Sequence, residues 1–528
     1  MIKVLVSDTL SDKGVEIFKK AGGIEVEVKT KLSPEELKAT IGGYDGLVVR
    51  SATKVTAEIL EHPGKLKIVG RAGSGLDNID VKAASKKGIV VMNTPGGNTI
   101  TTAEHALSMM LALSRRIPQA TASMKGKKWE KNKFMGAEIY NKTLGVVGLG
   151  QIGSVVADRA RGLKMNVIAY DPYLSPERAA QLKVELVSLD EILKRSDYIT
   201  IHVPKSTETT YLINKDAFSK MKKGVFVINC ARGGIVNEKD LYDAIKEGKV
   251  AGAALDVFEK EPPDPDNPLL ELEEVICTPH LGASTEEAQE NVALAIAEQM
   301  VDYLVHGTIM NAANFPSVDK ETLATIKPYL TLAERLGSFQ AQVISGGLKE
   351  VLIEYSGEVA SLNVAPITVS LLKGLLFPIL KEDVNYVNAP IVAKERGIKV
   401  IESTTSKGED FISLITLKVK TNKEEKVVAG TIFGKSDPWI VQVDQFRIEA
   451  VPDKYMLLLH THDRPGVIGN VGSCLGSHGI NISRMQFGRE KVEGKSLLLM
   501  STDGPVSSEV VGQMQKLPHI ISVDAIEI

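Results

Sequence analysis

The run Gly148-Leu149-Gly150-Gln151-Ile152-Gly153 follows an apolar stretch, Leu144 to Val147, and opens a helical pattern. Strand, glycine turn and helix in that order constrain this part of the chain to a βαβ unit that binds a dinucleotide. Gly148 permits the tight turn, Gly150 lets a pyrophosphate approach the backbone, and Gly153 lets the helix pack closely on the sheet. The helix N-terminus offers Gln151, Ile152 and their unpaired N–H groups to the anion, at the positive end of a dipole. A second apolar strand, Asn166 to Tyr170, ends at Asp171, 23 residues beyond Gly148. A carboxylate there accepts from a ribose 2′-hydroxyl and repels a 2′-phosphate, which predicts NAD rather than NADP.

A chain of 528 residues is too long for one core. Its net charge of −3, with no basic patch interleaved with aromatics, gives no footprint for nucleic acid. No stretch approaches the roughly 18 uninterrupted apolar residues of a membrane span, and Met1 to Val6 reads as a strand rather than a signal peptide. Cys230, Cys277 and Cys474 are far apart, which suggests neither a disulfide framework nor a metal cage. A reducing cytoplasm is the expected compartment.

Along the chain, short apolar runs at Lys3 to Val6, Leu47 to Val49, Ile68 to Gly70 and Ile89 to Met92 alternate with helical patterns, which predicts an α/β lobe with a parallel sheet. It has no fingerprint of its own and is read as the substrate side. The Rossmann-type nucleotide-binding domain is expected over 99–288, inserted in a flavodoxin-like substrate domain formed by 1–98 and 289–315. The cleft between two such lobes is a common ligand site. From 316 to 452 the pattern is α+β, with prolines at Pro378 and Pro390 and a polar, strand-rich tail. Residues 453–528 follow a strand-helix-strand-strand-helix-strand order, the ferredoxin-like arrangement, and are expected to form a separate small unit.

Three polar signatures fall at or just past the predicted C-terminal ends of strands, the edge where open α/β sheets bind ligands. They are Asn229-Cys230-Ala231-Arg232-Gly233-Gly234, Asp256-Val257-Phe258-Glu259-Lys260-Glu261-Pro262-Pro263, and Thr278-Pro279-His280-Leu281-Gly282-Ala283. Oxidising an alcohol beside a carboxylate needs a cation for the carboxylate, a base for the hydroxyl proton and a hydride acceptor. Arg232 suits the first, because guanidinium stays charged and pairs with a planar carboxylate. His280 suits the second, since imidazole exchanges protons near neutrality. Glu261 can orient the imidazole and favour the imidazolium that forms.

Together these motifs resemble the D-isomer-specific 2-hydroxyacid dehydrogenases over residues 1 to about 315. The resemblance assigns the same Arg232, Glu261 and His280 to catalysis. It places Cys230, Ala231 and Arg232 beside the nicotinamide riboside, Asp256 near the nicotinamide amide, and His280, Gly282 and Ala283 along the cofactor. It has Arg50, Ser51, Gly73 and Arg232 touch the substrate. The C-terminal additions are similar to those of the family's long form. This implies NAD-dependent oxidation of D-3-phosphoglycerate to 3-phosphohydroxypyruvate, the first step of L-serine biosynthesis, by a homo-oligomer, a tetramer. The lysines from Lys125 to Lys133 are read as a solvated face, with an arm reaching across a dimer as the alternative.

His460-Thr461-His462-Asp463-Arg464-Pro465-Gly466, followed by Gly479-Ile480-Asn481-Ile482, resembles an ACT domain, a unit that binds amino acids between copies. L-Serine is the effector this implies, at Asp463 and Asn481, while a purely dimerising unit is the alternative. The segment before it resembles the intervening domain of the long form, with Lys435, Arg447 and Lys454 as candidate anion contacts. Two rivals stand. Glyoxylate or hydroxypyruvate reduction would use the same trio, and an NAD-sensing corepressor would keep the fingerprint but needs a peptide cleft.

Overall fold

Apolar runs too short for helices become strands here, and the order in which they pair decides where the chain can bind a ligand. The computed structural model describes residues 1–316, 320–380, 384–407, 410–490 and 494–528. In the first lobe β1 (Ile2–Val6), β2 (Ile24–Val28), β3 (Gly46–Val49), β4 (Ile68–Arg71) and β5 (Val90–Met92) form a parallel sheet in the flavodoxin-like order β2-β1-β3-β4-β5. The central strands are buried on both faces and therefore read as unbroken apolar runs. β2 is not among the apolar runs that predict strands. Its Glu25 and Glu27 alternate with apolar residues, as befits an edge strand.

Between β1 and β2 the chain forms α1 (Asp12–Lys20), and after β5 it forms α2 (Thr99–Ser114) and α3 (Ile117–Lys125) before the second sheet, whose first turn leads into α4 (Gln151–Gly162). That sheet contains β6 (Thr143–Val147), β7 (Asn166–Tyr170), β8 (Glu185–Leu186), β9 (Tyr198–Ile201), β10 (Val225–Asn229), β11 (Val250–Leu255) and β12 (Val275–Cys277). All pairs are parallel, in the order β12-β11-β10-β9-β6-β7-β8. The chain winds one way from β6 to β8 and then crosses to β9 on the other side. The crevice at the carboxyl ends of β6 and β9 is thus the topological switch point, where such sheets bind ligands. α5 (Glu286–His306) then returns to the first lobe, where Val292, Ile296, Ala297 and Met300 join the core of Val4, Val6, Ile68 and Met92.

Beyond residue 320, α6 (Lys320–Val343) and α7 (Ala365–Leu380) pack against one another and over a six-stranded mixed sheet. Its strands are β13 (Leu348–Gly357), β14 (Lys399–Thr405), β15 (Ser413–Thr421), β16 (Glu425–Phe433), β17 (Asp437–Val443) and β18 (Phe446–Ala450), ordered β14-β13-β15-β16-β17-β18. Neither proline breaks a core element. Pro378 falls in the last turn of α7, and Pro390 opens the short helix Ala389–Glu395, where its missing N–H has no partner to lose.

The last unit is β19 (Tyr455–His462), α8 (Val467–Ser477), β20 (Ile482–Arg489), β21 (Lys495–Thr502), α9 (Ser508–Met514) and β22 (Ile520–Glu527). Its antiparallel order β20-β21-β19-β22 is ferredoxin-like. Leu457, Leu459, Leu498 and Met500 lie under α8 and α9. The opposite face, Met456, Leu458, Leu497, Leu499 and Ile526, shares one core with Leu336, Phe339 and Phe446. This unit therefore does not stand apart from the preceding one, and the double burial explains why Met456 to Leu459 shows no alternation. Among the described residues no helix is long and apolar enough to cross a membrane.

Candidate active site

The glycine turn sits at the switch point. Gly148 has φ +91°, a left-handed conformation that strains any other residue, and a Cβ on Gly153 would lie 2.0 Å from the Gly148 carbonyl. A Cβ on Gly150, the N-cap of α4, would meet nothing within 4 Å, so the helix N-terminus has an open approach. Asp171 stands at the tip of β7, with Oδ2 accepting from Leu149 N–H (2.9 Å) and Oδ1 from Tyr173 N–H (3.0 Å). Each oxygen keeps a lone pair for a ribose hydroxyl. These features fit NAD. The Gln151 side chain turns to the start of α2, where its Oε1 accepts from Thr99 Oγ1 (3.2 Å).

Beside this turn a cleft of about 430 Å³ opens between the lobes. From the second lobe it is lined by Ile152, Cys230, Ala231, Arg232, Asp256, Glu261, His280, Gly282 and Ala283, and from the first by Arg50, Ser51 and Gly73. Residues 230 and 232 follow β10, Asp256 follows β11, and His280 follows β12, so three adjacent parallel strands deliver these groups to one edge.

His280 and Glu261 form a pair, Nδ1 to Oε2 at 2.7 Å. The hydrogen bond to Glu261 holds the imidazole above its ordinary value against burial, with the charges of Glu261 and Asp256 adding to it and Arg232 opposing. Burial pushes the Glu261 carboxyl up, but the bond and charge of His280 and the Phe258 N–H (3.1 Å) outweigh it, and the group lies below the usual carboxylate range. His280 has φ +55°, a left-handed conformation that costs a non-glycine residue about 1–2 kcal/mol. Its own N–H donates to the Asp256 carbonyl (2.9 Å).

Arg232 is held by Asp77, Nε to Oδ2 at 3.0 Å, while its Nη1 donates to the Ala231 carbonyl (2.7 Å). Arg50 donates through Nη1 to the Thr9 carbonyl (3.2 Å). Cys230 is buried, and burial together with the Asp256 charge pushes its thiol far up, which removes nucleophilic thiolate. Asp256 itself is buried and both oxygens are occupied: Oδ1 accepts from Thr278 Oγ1 (2.6 Å) and Leu281 N–H (2.7 Å), and Oδ2 from Gly282 N–H (2.8 Å).

Arg71, at the end of β4, also lines the cleft; burial, with Arg232 and Arg50 close by, lowers its guanidinium. Two further cleft residues are not marked by any sequence motif. Asp77 is 155 residues from Arg232 in sequence. His202, after β9, is held down to about 4 by burial and stays neutral. The lysine segment is exposed and outside the cleft.

The C-terminal candidates are distributed differently. His462 faces Lys495 at one end of β21, and Ile482 faces Thr502 at the other. Asp463 and Asn481 therefore lie at opposite ends of that strand, roughly 23 Å apart at its usual rise per residue, too far for one amino acid within one chain. Asn481 Nδ2 donates to Asp503 (2.8 Å). Lys435 precedes β17, Arg447 lies on β18 opposite Gln442 and pairs with Asp410 (2.9 Å), and Lys454 immediately precedes β19. Among the described residues no cluster of three or more His, Cys, Asp or Glu is placed to hold a metal ion.

The fold and the cleft define a nicotinamide-dependent dehydrogenase of 2-hydroxyacids, and the family described as D-isomer specific 2-hydroxyacid dehydrogenase, NAD binding domain, matches residues 107–282. The D-3-phosphoglycerate dehydrogenase intervening domain matches residues 325–444. The chain is 48% identical to the D-3-phosphoglycerate dehydrogenase of Archaeoglobus fulgidus and 46% identical to that of Methanocaldococcus jannaschii, each match covering 100% of both chains. It belongs to the D-3-phosphoglycerate dehydrogenase family and is an NAD-dependent oxidoreductase. Among solved structures, D-lactate dehydrogenase from Aquifex aeolicus complexed with NAD and lactic acid superimposes with a TM-score of 0.52 at 30% identity, over 60% of this chain and 100% of that one.

Proposed function

We propose that the cleft oxidises D-3-phosphoglycerate to 3-phosphohydroxypyruvate. Three guanidiniums, Arg50, Arg71 and Arg232, converge on it, and this observation carries the substrate assignment. A substrate bearing a carboxylate and a phosphate matches three cations, whereas glyoxylate offers one carboxylate. Arg232, braced by Asp77, pairs with the carboxylate, and Arg50 and Arg71 face the phosphate. His280 takes the hydroxyl proton through Nε2, because Nδ1 is committed to Glu261, and Glu261 stabilises the imidazolium. NAD supplies the hydride acceptor when bound, and the glycine turn, the N-terminus of α4 and Asp171 are the groups that hold it. The domains behind this chemistry are taken as 1–98 with 289–315, 99–288, 316–452 and 453–528.

The same reading makes the enzyme a homo-oligomer, a tetramer, inhibited by L-serine. Asp463 and Asn481 at opposite ends of β21 support an effector site shared between two copies, Asp463 from one and Asn481 from the other.

The test is NADH oxidation with phosphohydroxypyruvate, hydroxypyruvate and glyoxylate at matched concentrations, with and without L-serine. Preference for the phosphorylated acid is expected; preference for glyoxylate overturns the substrate assignment, and calorimetry showing no serine binding overturns the regulation. His280→Ala is expected to slow turnover by roughly 10²- to 10⁴-fold with NAD affinity kept.

A further inference from the structure

Asp256 brings a fully buried carboxylate to the end of β11, and four donors reach it. Thr278 Oγ1, Leu281 N–H and Gly282 N–H all come from segment 278–282, the one that carries His280. Among the described residues, the one donor from elsewhere is His105, on α2, with Nε2 at 3.2 Å from Oδ1. The Thr278 hydroxyl has a single hydrogen and gives it to Asp256 at 2.6 Å, so its oxygen, 3.1 Å from the same Nε2, can only accept. The geometry therefore assigns the hydrogen to Nε2 of His105. Thr102, one turn earlier on the same face of α2, donates to the Gly282 carbonyl at 2.8 Å. Two side chains of α2 thus grip the segment that holds His280 in its left-handed conformation.

We infer that His105 is a positioning residue for proton transfer: its Nε2–H binds the Asp256–Thr278 pair, partly offsets the buried carboxylate, and fixes the backbone on either side of His280. The inference rests on the role given to His280 above. The charged groups facing His280 are Glu261, Asp256 and Arg232, and His105 reaches it through Asp256 alone. With His105 removed, more of the Asp256 charge is felt at His280, and the imidazolium is favoured.

The test uses His105→Leu and His105→Gln in the whole chain, with His105→Phe as a second variant that lacks the donor. One readout is kcat for NAD-dependent oxidation of D-3-phosphoglycerate. The other, made without substrate, is the pH dependence of diethylpyrocarbonate modification of His280, followed by peptide mass spectrometry. His105→Leu is expected to lower kcat roughly 10- to 100-fold through misplacement of the base and to raise the His280 midpoint by roughly one unit. His105→Gln, which returns an N–H donor, restores most of both. An unmoved midpoint in His105→Leu overturns the inference, even where activity or melting temperature falls, because lost packing alone leaves the midpoint in place. If His105→Leu does not fold, an upward midpoint in His105→Phe supports the role and an unmoved one overturns it. A wild-type enzyme inactive on D-3-phosphoglycerate defeats the substrate assignment, while the modification experiment still decides the role of His105.

Discussion

Glu261 Oε2 lies 2.7 Å from Nδ1 of His280, and each group shifts the other toward its charged form. With His280 as the proposed base, alcohol oxidation needs it neutral in the free enzyme, so kcat/KM is expected to rise with pH through a value above that of ordinary imidazole, and reduction to fall through the same value. Glu261→Gln removes the carboxylate charge and leaves Nδ1–H only a neutral amide acceptor, so the imidazolium loses the partner that favours it. The acid limb for oxidation is then expected to move to lower pH, with kcat down about 10²-fold, the low end for a disabled acid–base group. A pH-rate profile of the variant checks this, and an unmoved limb refutes it. In stability, the His280 contribution is complete below its unfolded value and lost as pH rises through its raised folded value; that of Glu261 is present above its unfolded value and lost as pH falls through its depressed one.

Arg71 is half-buried near Arg232 and Arg50, and although Asp77 pairs with Arg232, burial and the two neighbouring cations still leave the Arg71 guanidinium lowered, so a further anion beside it is favoured. Arg71→Met is expected to raise KM for D-3-phosphoglycerate about 10- to 100-fold, the equivalent of one charged hydrogen bond of roughly 1.5–3 kcal/mol. KM for glyoxylate, which has no phosphate, should change little. The ratio of kcat/KM for the two acids is the measurement, and equal losses would show that Arg71 braces the lobe instead.

What the sequence made legible follows from burial and spacing. Strands buried on both faces, such as Val225–Asn229, appear as unbroken apolar runs, and the trio falls just past such runs, at the ligand-binding edge. β2 escaped because its alternating Glu25 and Glu27 resemble a solvated face. Asp77 escaped because its partner is fixed only when the two lobes close on one another. His105 sits inside an amphipathic helix, and only the neighbouring ends of β11 and β12 give it a polar role. The shared core of the last two units was hidden for a related reason: Met456 and Leu457 point to opposite faces, and the sequence does not say what covers the second.

Asp171 anchors the fingerprint turn through Leu149 N–H at 2.9 Å and presents its carboxylate where a ribose would lie. Asp171→Ala is expected to weaken NAD about tenfold or more, since a hydrogen bond to a charged group contributes roughly 1.5–3 kcal/mol. NADP should gain relative to NAD, because its phosphate no longer meets the carboxylate. Fluorescence titration with both reduced cofactors measures the ratio, and an unchanged ratio would remove Asp171 from cofactor selection.

If L-serine is held by Asp463 of one copy and Asn481 of another, a two-fold pair of C-terminal units contains two composite sites. Asp463→Ala and Asn481→Ala should each abolish serine inhibition in the homo-oligomer, since both sites then lack one group. Mixing the two variants gives a different arithmetic: in a hybrid pair one composite site has lost both groups and the other has lost neither. Serine inhibition should therefore return in part when the variants are co-expressed or refolded together, with calorimetry showing about half the wild-type number of sites per hybrid pair. A site built within one chain predicts no recovery at all. The separation of the two residues along β21 makes recovery the expected result, because the strand between them is several times longer than the ligand.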